Sequence, residues 1–138
     1  MNSKEGKAIW VIITEVLFTN IPILIITFLL FIKNDILKLF KTTDLSFVSV
    51  VLFGQTLIRF ISGIAKSKGK KKWQLMAFWC SMIFIMGSIP SIILLVLIDT
   101  QTIESLVIYV LQVVWFILSI VVYIIFGTIG QMYLDEEE

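Results

Sequence analysis

Residues 10–20 read WVIITEVLFTN, and Glu15 is the only charge between Lys7 and Lys33. Arg59 is the single arginine of the chain and lies in a second apolar run, with Gln55 one helical turn before it. A carboxylate set in oil can carry a proton, or it can hold an opposing cation. Catalytic alternatives are scarce. There is no histidine and one cysteine, Cys80, so the usual zinc sites, Ser-His and Cys-His pairs and any internal disulfide are excluded. No glycine-rich phosphate loop follows a strand pattern. The chain is therefore read as non-enzymatic, with no catalytic residue, metal ligand or cofactor assigned.

What must position Glu15 and Arg59 follows from the composition. The 138 residues are 59% hydrophobic and 15% charged, with a mean hydropathy of +1.02, against about half and a quarter in soluble domains. A bilayer core of about 30 Å needs roughly 20 apolar helical residues. Four segments qualify: 8–32, 46–65, 73–98 and 103–133. The expected fold is an all-α integral membrane bundle of four transmembrane helices, a single domain over 1–138 with no soluble part. The first run is too long for a signal peptide and KND follows it instead of a cleavage site. No acylation motif is expected at either end.

Four spans put both termini and the loop 66–72 on one side. That side holds Lys4, Lys7, Lys66, Lys68, Lys70, Lys71 and Lys72, the other Lys33, Lys38 and Lys41. Lysines mark the cytoplasmic side, so both termini are expected in the cytoplasm of a bacterial inner membrane. Trp10 and Trp73 fall at that interface, where indoles prefer to sit.

Depth at about 1.5 Å per residue puts Glu15 about 10 Å and Arg59 about 9 Å from the cytoplasmic end. Spans one and two are joined by a short loop and are expected to pack antiparallel, bringing the two charges level. Each alone costs at least about 2.5 kcal/mol at depth, and pairing offsets part of that. An intramembrane ion pair Glu15–Arg59 is preferred to a snorkelling Arg59 beside a protonated Glu15. Asn20, Gln55 and Gln112 are expected to form a midplane polar layer, because amides in hydrocarbon need partners from neighbouring helices. Gln55, Arg59 and Ser62 share a stripe, with Thr56 and Gly63 beside it, that must face protein or water.

The last span carries Ser105, Tyr109, Gln112, Phe116, Ser119, Tyr123, Phe126 and Gly130 at alternating spacings of three and four, the repeat of a left-handed helix seam. The third span has a similar row, Ala77, Ser81, Phe84, Ser88 and Ser91. Both are expected to be helix-packing faces, since small residues let membrane helices approach. An oligomer interface or a pore lining is the alternative. Pro22 and Pro90 sit in the similar runs IPILIITFLL and IPSIILLVLI, 68 residues apart. A duplicated hairpin would account for this, although the second and fourth spans do not align convincingly. The loop NDILKLFK reads equally as a helical turn at the headgroups or as an ordinary connection. The block Lys66, Lys68, Lys70, Lys71 and Lys72 is first a topology determinant and, beyond that, a contact for anionic lipid or a protein partner.

The expected function is an oligomeric membrane subunit that senses the membrane or anchors and regulates a cytosolic partner, in a bacterial defence or signalling setting. Its partners would be the lipid bilayer, further copies of itself and a cytosolic protein, with no direct nucleic-acid contact. A membrane-permeabilising pore is one alternative, with the amide layer as constriction. A small proton-coupled exporter is the other. Thr14-Glu15-Val16 and, more loosely, Ala77-Phe78-Trp79-Cys80-Ser81 superficially resemble the small multidrug resistance transporters, which also have four spans and one essential glutamate in the first. That resemblance implies proton coupling through Glu15. Arg59 departs from it, because a neighbouring cation favours ionised Glu15.

Overall fold

A computed structural model describes residues 3–66, 73–100 and 105–135, without the side chains of 3–5, 73 and 135. These residues fold into helices α1 (Ser3–Ile32), α2 (Leu37–Lys41), α3 (Asp44–Lys66), α4 (Trp73–Ile83), α5 (Ile89–Asp99) and α6 (Leu106–Asp135). A π-helical turn, Phe84–Ser88, joins α4 to α5. Four helical segments are long and apolar enough to cross a membrane: Gly6–Ile32, Asp44–Lys66, Gln74–Asp99 and Leu106–Leu134. They match the four expected spans to within a few residues.

α1 stops where Asn34 takes a left-handed conformation at φ 52°. Asn34 N–H then reaches the Phe31 carbonyl at 3.1 Å and Asp35 N–H the Leu30 carbonyl at 3.0 Å, which satisfies the last helical carbonyls. The connection NDILKLFK contains one helical turn, α2, with Leu39 buried and Leu37 exposed. Its Phe40 packs against the cluster of Ile12, Ile23, Leu45, Val48, Leu52 and Tyr123.

The bundle is built on α3 and α6, which run parallel. Gln112 of α6 meets Thr42, just before α3, at one end. At the other end Gly63 lies against the Gly130 carbonyl. α1 rests chiefly on α6 and more lightly on α3. The longer α6 offers α1 the small Gly127, which a methyl of Ile12 covers. The α4–α5 rod packs in the same way on α3, with Met76 against Phe60 and Ile64 and Gly87 under the Phe53 ring.

This arrangement is an approximate two-fold relation between two hairpins. The outer helix of each hairpin leans on the inner helix of the other. A shift of 68 residues carries Glu15, Thr19 and Pro22 of α1 onto Ile83, Gly87 and Pro90 of the rod. Tyr123 of α6 meets α1 at Glu15, and Phe53 of α3 meets the rod at Gly87.

The expected packing row of the third span is split. Ser88 and Ser91 are buried, but Ala77, Ser81 and Phe84 are exposed. The buried residues before the π-turn are Met76 and Ile83 instead. The cause is local. Pro90 lacks an N–H and crowds the carbonyl four residues back. The chain widens there, so that Ile89 N–H bonds the Phe84 carbonyl. A π-turn adds one residue to the helical repeat, which rotates one half of the row relative to the other. On α6 the row behaves differently: Gln112, Ser119, Tyr123 and Gly130 are buried and Ser105, Tyr109, Phe116 and Phe126 half-buried.

Candidate functional site

Three helices deliver side chains to one polar cluster. α1 brings Glu15, α3 brings Arg59, and α6 brings Tyr123 and Gln131. The Arg59 guanidinium forms an ion pair with one Glu15 carboxylate oxygen, and the Tyr123 hydroxyl donates to the other. Arg59 donates in addition to Gln131 Oε1 at 2.6 Å. Both oxygens of the carboxylate are thus engaged, and the guanidinium is shared between two helices. Tyr123 is fully buried, whereas the side chains of Arg59 and Glu15 keep 19% and 38% of their surface exposed.

That exposure opens into a cleft of about 500 Å³ between α1 and α3, walled by Phe18, Thr19, Gln55 and Ile58 beside the ion pair. Ser62 and Leu134 line it as well. The stripe Gln55, Arg59, Ser62 therefore faces this cleft, while Thr56 and Gly63 beside it are buried. Thr19 Oγ1 donates to Gln55 Oε1 at 3.4 Å, which leaves the Gln55 amide NH2 as a donor. A second cleft, of about 280 Å³, continues the α1–α3 seam and shares Thr19 with the first. Its walls are mostly apolar, with Pro22, Ile26, Phe47 and Val51 among them and Asp44 as its one charge.

The three amides expected to share a layer do not meet. Gln55 bonds Thr19. Asn20 Nδ2 turns back to the Val16 carbonyl of its own helix at 2.7 Å, and its Oδ1 is buried with no partner among the described residues. Gln112 is fully buried and donates from Nε2 to the Thr42 carbonyl at 2.7 Å. It therefore sits level with the start of α3. The reason is that α6 begins about 9 Å beyond Thr42, so a depth counted from its own end runs deeper than the neighbouring helices do. Gln112→Leu is expected to leave the Thr42 carbonyl unpaired and to lower stability by about 1–3 kcal/mol, read as a shift of the thermal midpoint.

Depth counting on spans one and two did not include Tyr123 or Gln131. Applied to span four, it places them about 15 Å and 3 Å from the span's C-terminal end, bracketing Glu15 and Arg59. Tyr123 was visible only as a packing position and Gln131 carried no signal of its own. Of the lysine block, Lys66 is exposed at the end of α3, and Lys68, Lys70, Lys71 and Lys72 lie outside the described residues. The segment 101–104 and the tail 136–138 lie outside them as well.

The fold and the cluster together define a class: an all-helical chain with four helices long and apolar enough to cross a membrane, joined by a polar cluster between α1, α3 and α6. No protein family, no curated protein and no solved structure matches this chain.

Proposed function

We propose that the protein is a non-enzymatic, multi-pass subunit of a bacterial cytoplasmic membrane, with both termini in the cytoplasm. It acts as a homo-oligomer that senses the bilayer or holds a cytosolic partner at it. One observation carries this reading. The atoms with which Glu15 would bind a proton are occupied in joining α1 to α3 and α6. A proton carrier needs carboxylate oxygens free to take up and release a proton, and both oxygens here are held, one by a guanidinium and one by a phenol hydroxyl. The lysine distribution supports the orientation. The outward faces support lipid or a second copy as the surroundings, since Trp10, Phe18, Phe28 and Phe31 are 63–70% exposed.

A specific feature favours a second reading, the proton-coupled exporter: the cleft of about 500 Å³ that opens beside Glu15. A liposome assay separates the two. Reconstituted at an imposed pH gradient, the wild-type chain and Glu15→Gln are both expected to leave the gradient standing. A gradient that the wild type dissipates and Glu15→Gln does not would establish proton coupling and overturn the subunit reading. The pore alternative draws on an amide layer, and within one chain Asn20, Gln55 and Gln112 each bond elsewhere.

A further inference from the structure

The two hairpins contain the same junction in two versions. Where α1 meets α6 it is charged, with Glu15, Arg59 and Tyr123. Where the rod meets α3 and α6 it is apolar, with Ile83 at the place of Glu15 by the 68-residue shift and Phe53 beside it. A cleft of about 200 Å³ there is lined by Phe53, Ile83, Met86 and Val122, with no polar wall. The fold therefore closes this junction without charges. A buried ion pair is commonly no more stabilising than apolar residues of its size.

What it adds is recognition chemistry at the head of an amphipathic seam. The polar cleft carries one fixed positive and one fixed negative group, so its net charge matches a zwitterion, not a net anion or cation. The guanidinium of Arg59, the Gln55 amide NH2 and the Ser62 hydroxyl, all lining the cleft, supply donors for a phosphate. The remaining lone pairs of the Glu15 carboxylate, 38% exposed, suit an ammonium that can donate hydrogen bonds. Beyond Thr19 the seam becomes mostly apolar, along Pro22, Ile26, Phe47 and Val51. The helical rise from Arg59 back to Val48 is about 16 Å, a length that an acyl chain can follow.

We infer that the seam between α1 and α3 holds one phospholipid with an ethanolamine headgroup, its phosphate at Arg59, its ammonium at Glu15 and an acyl chain along Pro22, Ile26 and Val51. This rests on the membrane-subunit reading and gives its sensing role a ligand. The ethanolamine ammonium donates to Glu15, which a trimethylated choline cannot do. An anionic lipid without the ammonium leaves the carboxylate facing like charge.

The test uses the full chain, reconstituted with equal amounts of synthetic ethanolamine, choline and glycerol phospholipids, extracted in mild detergent and weighed intact by native mass spectrometry. One ethanolamine lipid per chain is expected, favoured about tenfold over either competitor. Val51→Trp fills the apolar half of the seam away from the ion pair and is expected to lose the lipid. Met86→Trp, at the apolar twin, is expected to keep it. The double variant Glu15→Gln/Arg59→Gln, which leaves no charge buried, is expected to lose the preference among headgroups. Equal retention of the three lipids by the wild type, or retention by Val51→Trp, would overturn the inference. So would a lipid-free dimer, which puts a second copy in the seam. None of these results alters the liposome assay, so failure of the lipid site and failure of the subunit reading are told apart.

Discussion

Gly63→Ala is expected to destabilise the protein by about 3 kcal/mol, near the upper end of the cost of overpacking, and Gly63→Leu to prevent assembly of the bundle. A Cβ on Gly63 would collide with the Gly130 carbonyl and stand 3.0 Å from its backbone carbons. The reciprocal Cβ on Gly130 would lie 2.8 Å from the Arg59 carbonyl oxygen. Both obstacles are main chain, and main chain in a helix does not step aside as a side-chain tip does. The two helices would have to part at their closest approach, and close approach of small residues is how apolar helices associate in lipid.

The damage would reach the polar cluster, because Arg59 stands one turn from Gly63 and Gln131 follows Gly130 in sequence. Gly54 supplies the contrast. Nothing lies within 4 Å of a Cβ added there, and alanine favours helix over glycine by about 1 kcal/mol. Gly54→Ala is expected to match or exceed the wild type in the same thermal unfolding measurement, with Gly63→Ala and Gly130→Ala both falling well below it.

Much of this was legible in the chain. Four runs of about 20 apolar residues have few ways to satisfy their backbone groups other than as helices, and their ends fell at KND and at the lysine block. The meeting of Glu15 with Arg59 was readable because both depths are counted from one end, over a few turns of regular helix. Gln112 was misplaced because its depth was counted from the opposite end, where α6 overshoots α3. Ala77 and Ser81 were misplaced for another reason. Pro90 announces a disturbance, but the sequence does not say whether the helix bends, breaks or widens by one residue, and only the last shifts the face. The companionship of Tyr123 and Gln131 depends on α1 choosing α6 over its sequence neighbour α3, and local pattern carries no information about that choice.

The largest electrostatic effects are expected at the cluster itself. Glu15→Gln removes the carboxylate and leaves the Arg59 cation among apolar helices, with Gln131 as its remaining partner. An uncompensated charge at such depth costs about 2.5–3.5 kcal/mol on insertion scales. Arg59→Gln leaves the carboxylate with Tyr123 alone, and a similar loss is expected. Glu15→Gln/Arg59→Gln removes both charges, keeps two amides able to bond one another, and leaves no ion buried.

The double variant should therefore be more stable than the sum of the single losses implies, with a coupling of about 1–3 kcal/mol. Tyr123→Phe removes only the third hydrogen bond and is expected to cost about 1 kcal/mol or slightly more. The decisive measurement is thermal unfolding of these four proteins, the wild type, both single variants and the double, in one detergent. If Glu15 and Arg59 clamp the helices, each single variant unfolds well below the wild type and the double recovers a clear part of the loss. If both single variants unfold with the wild type, the pair holds nothing together and the clamp is wrong.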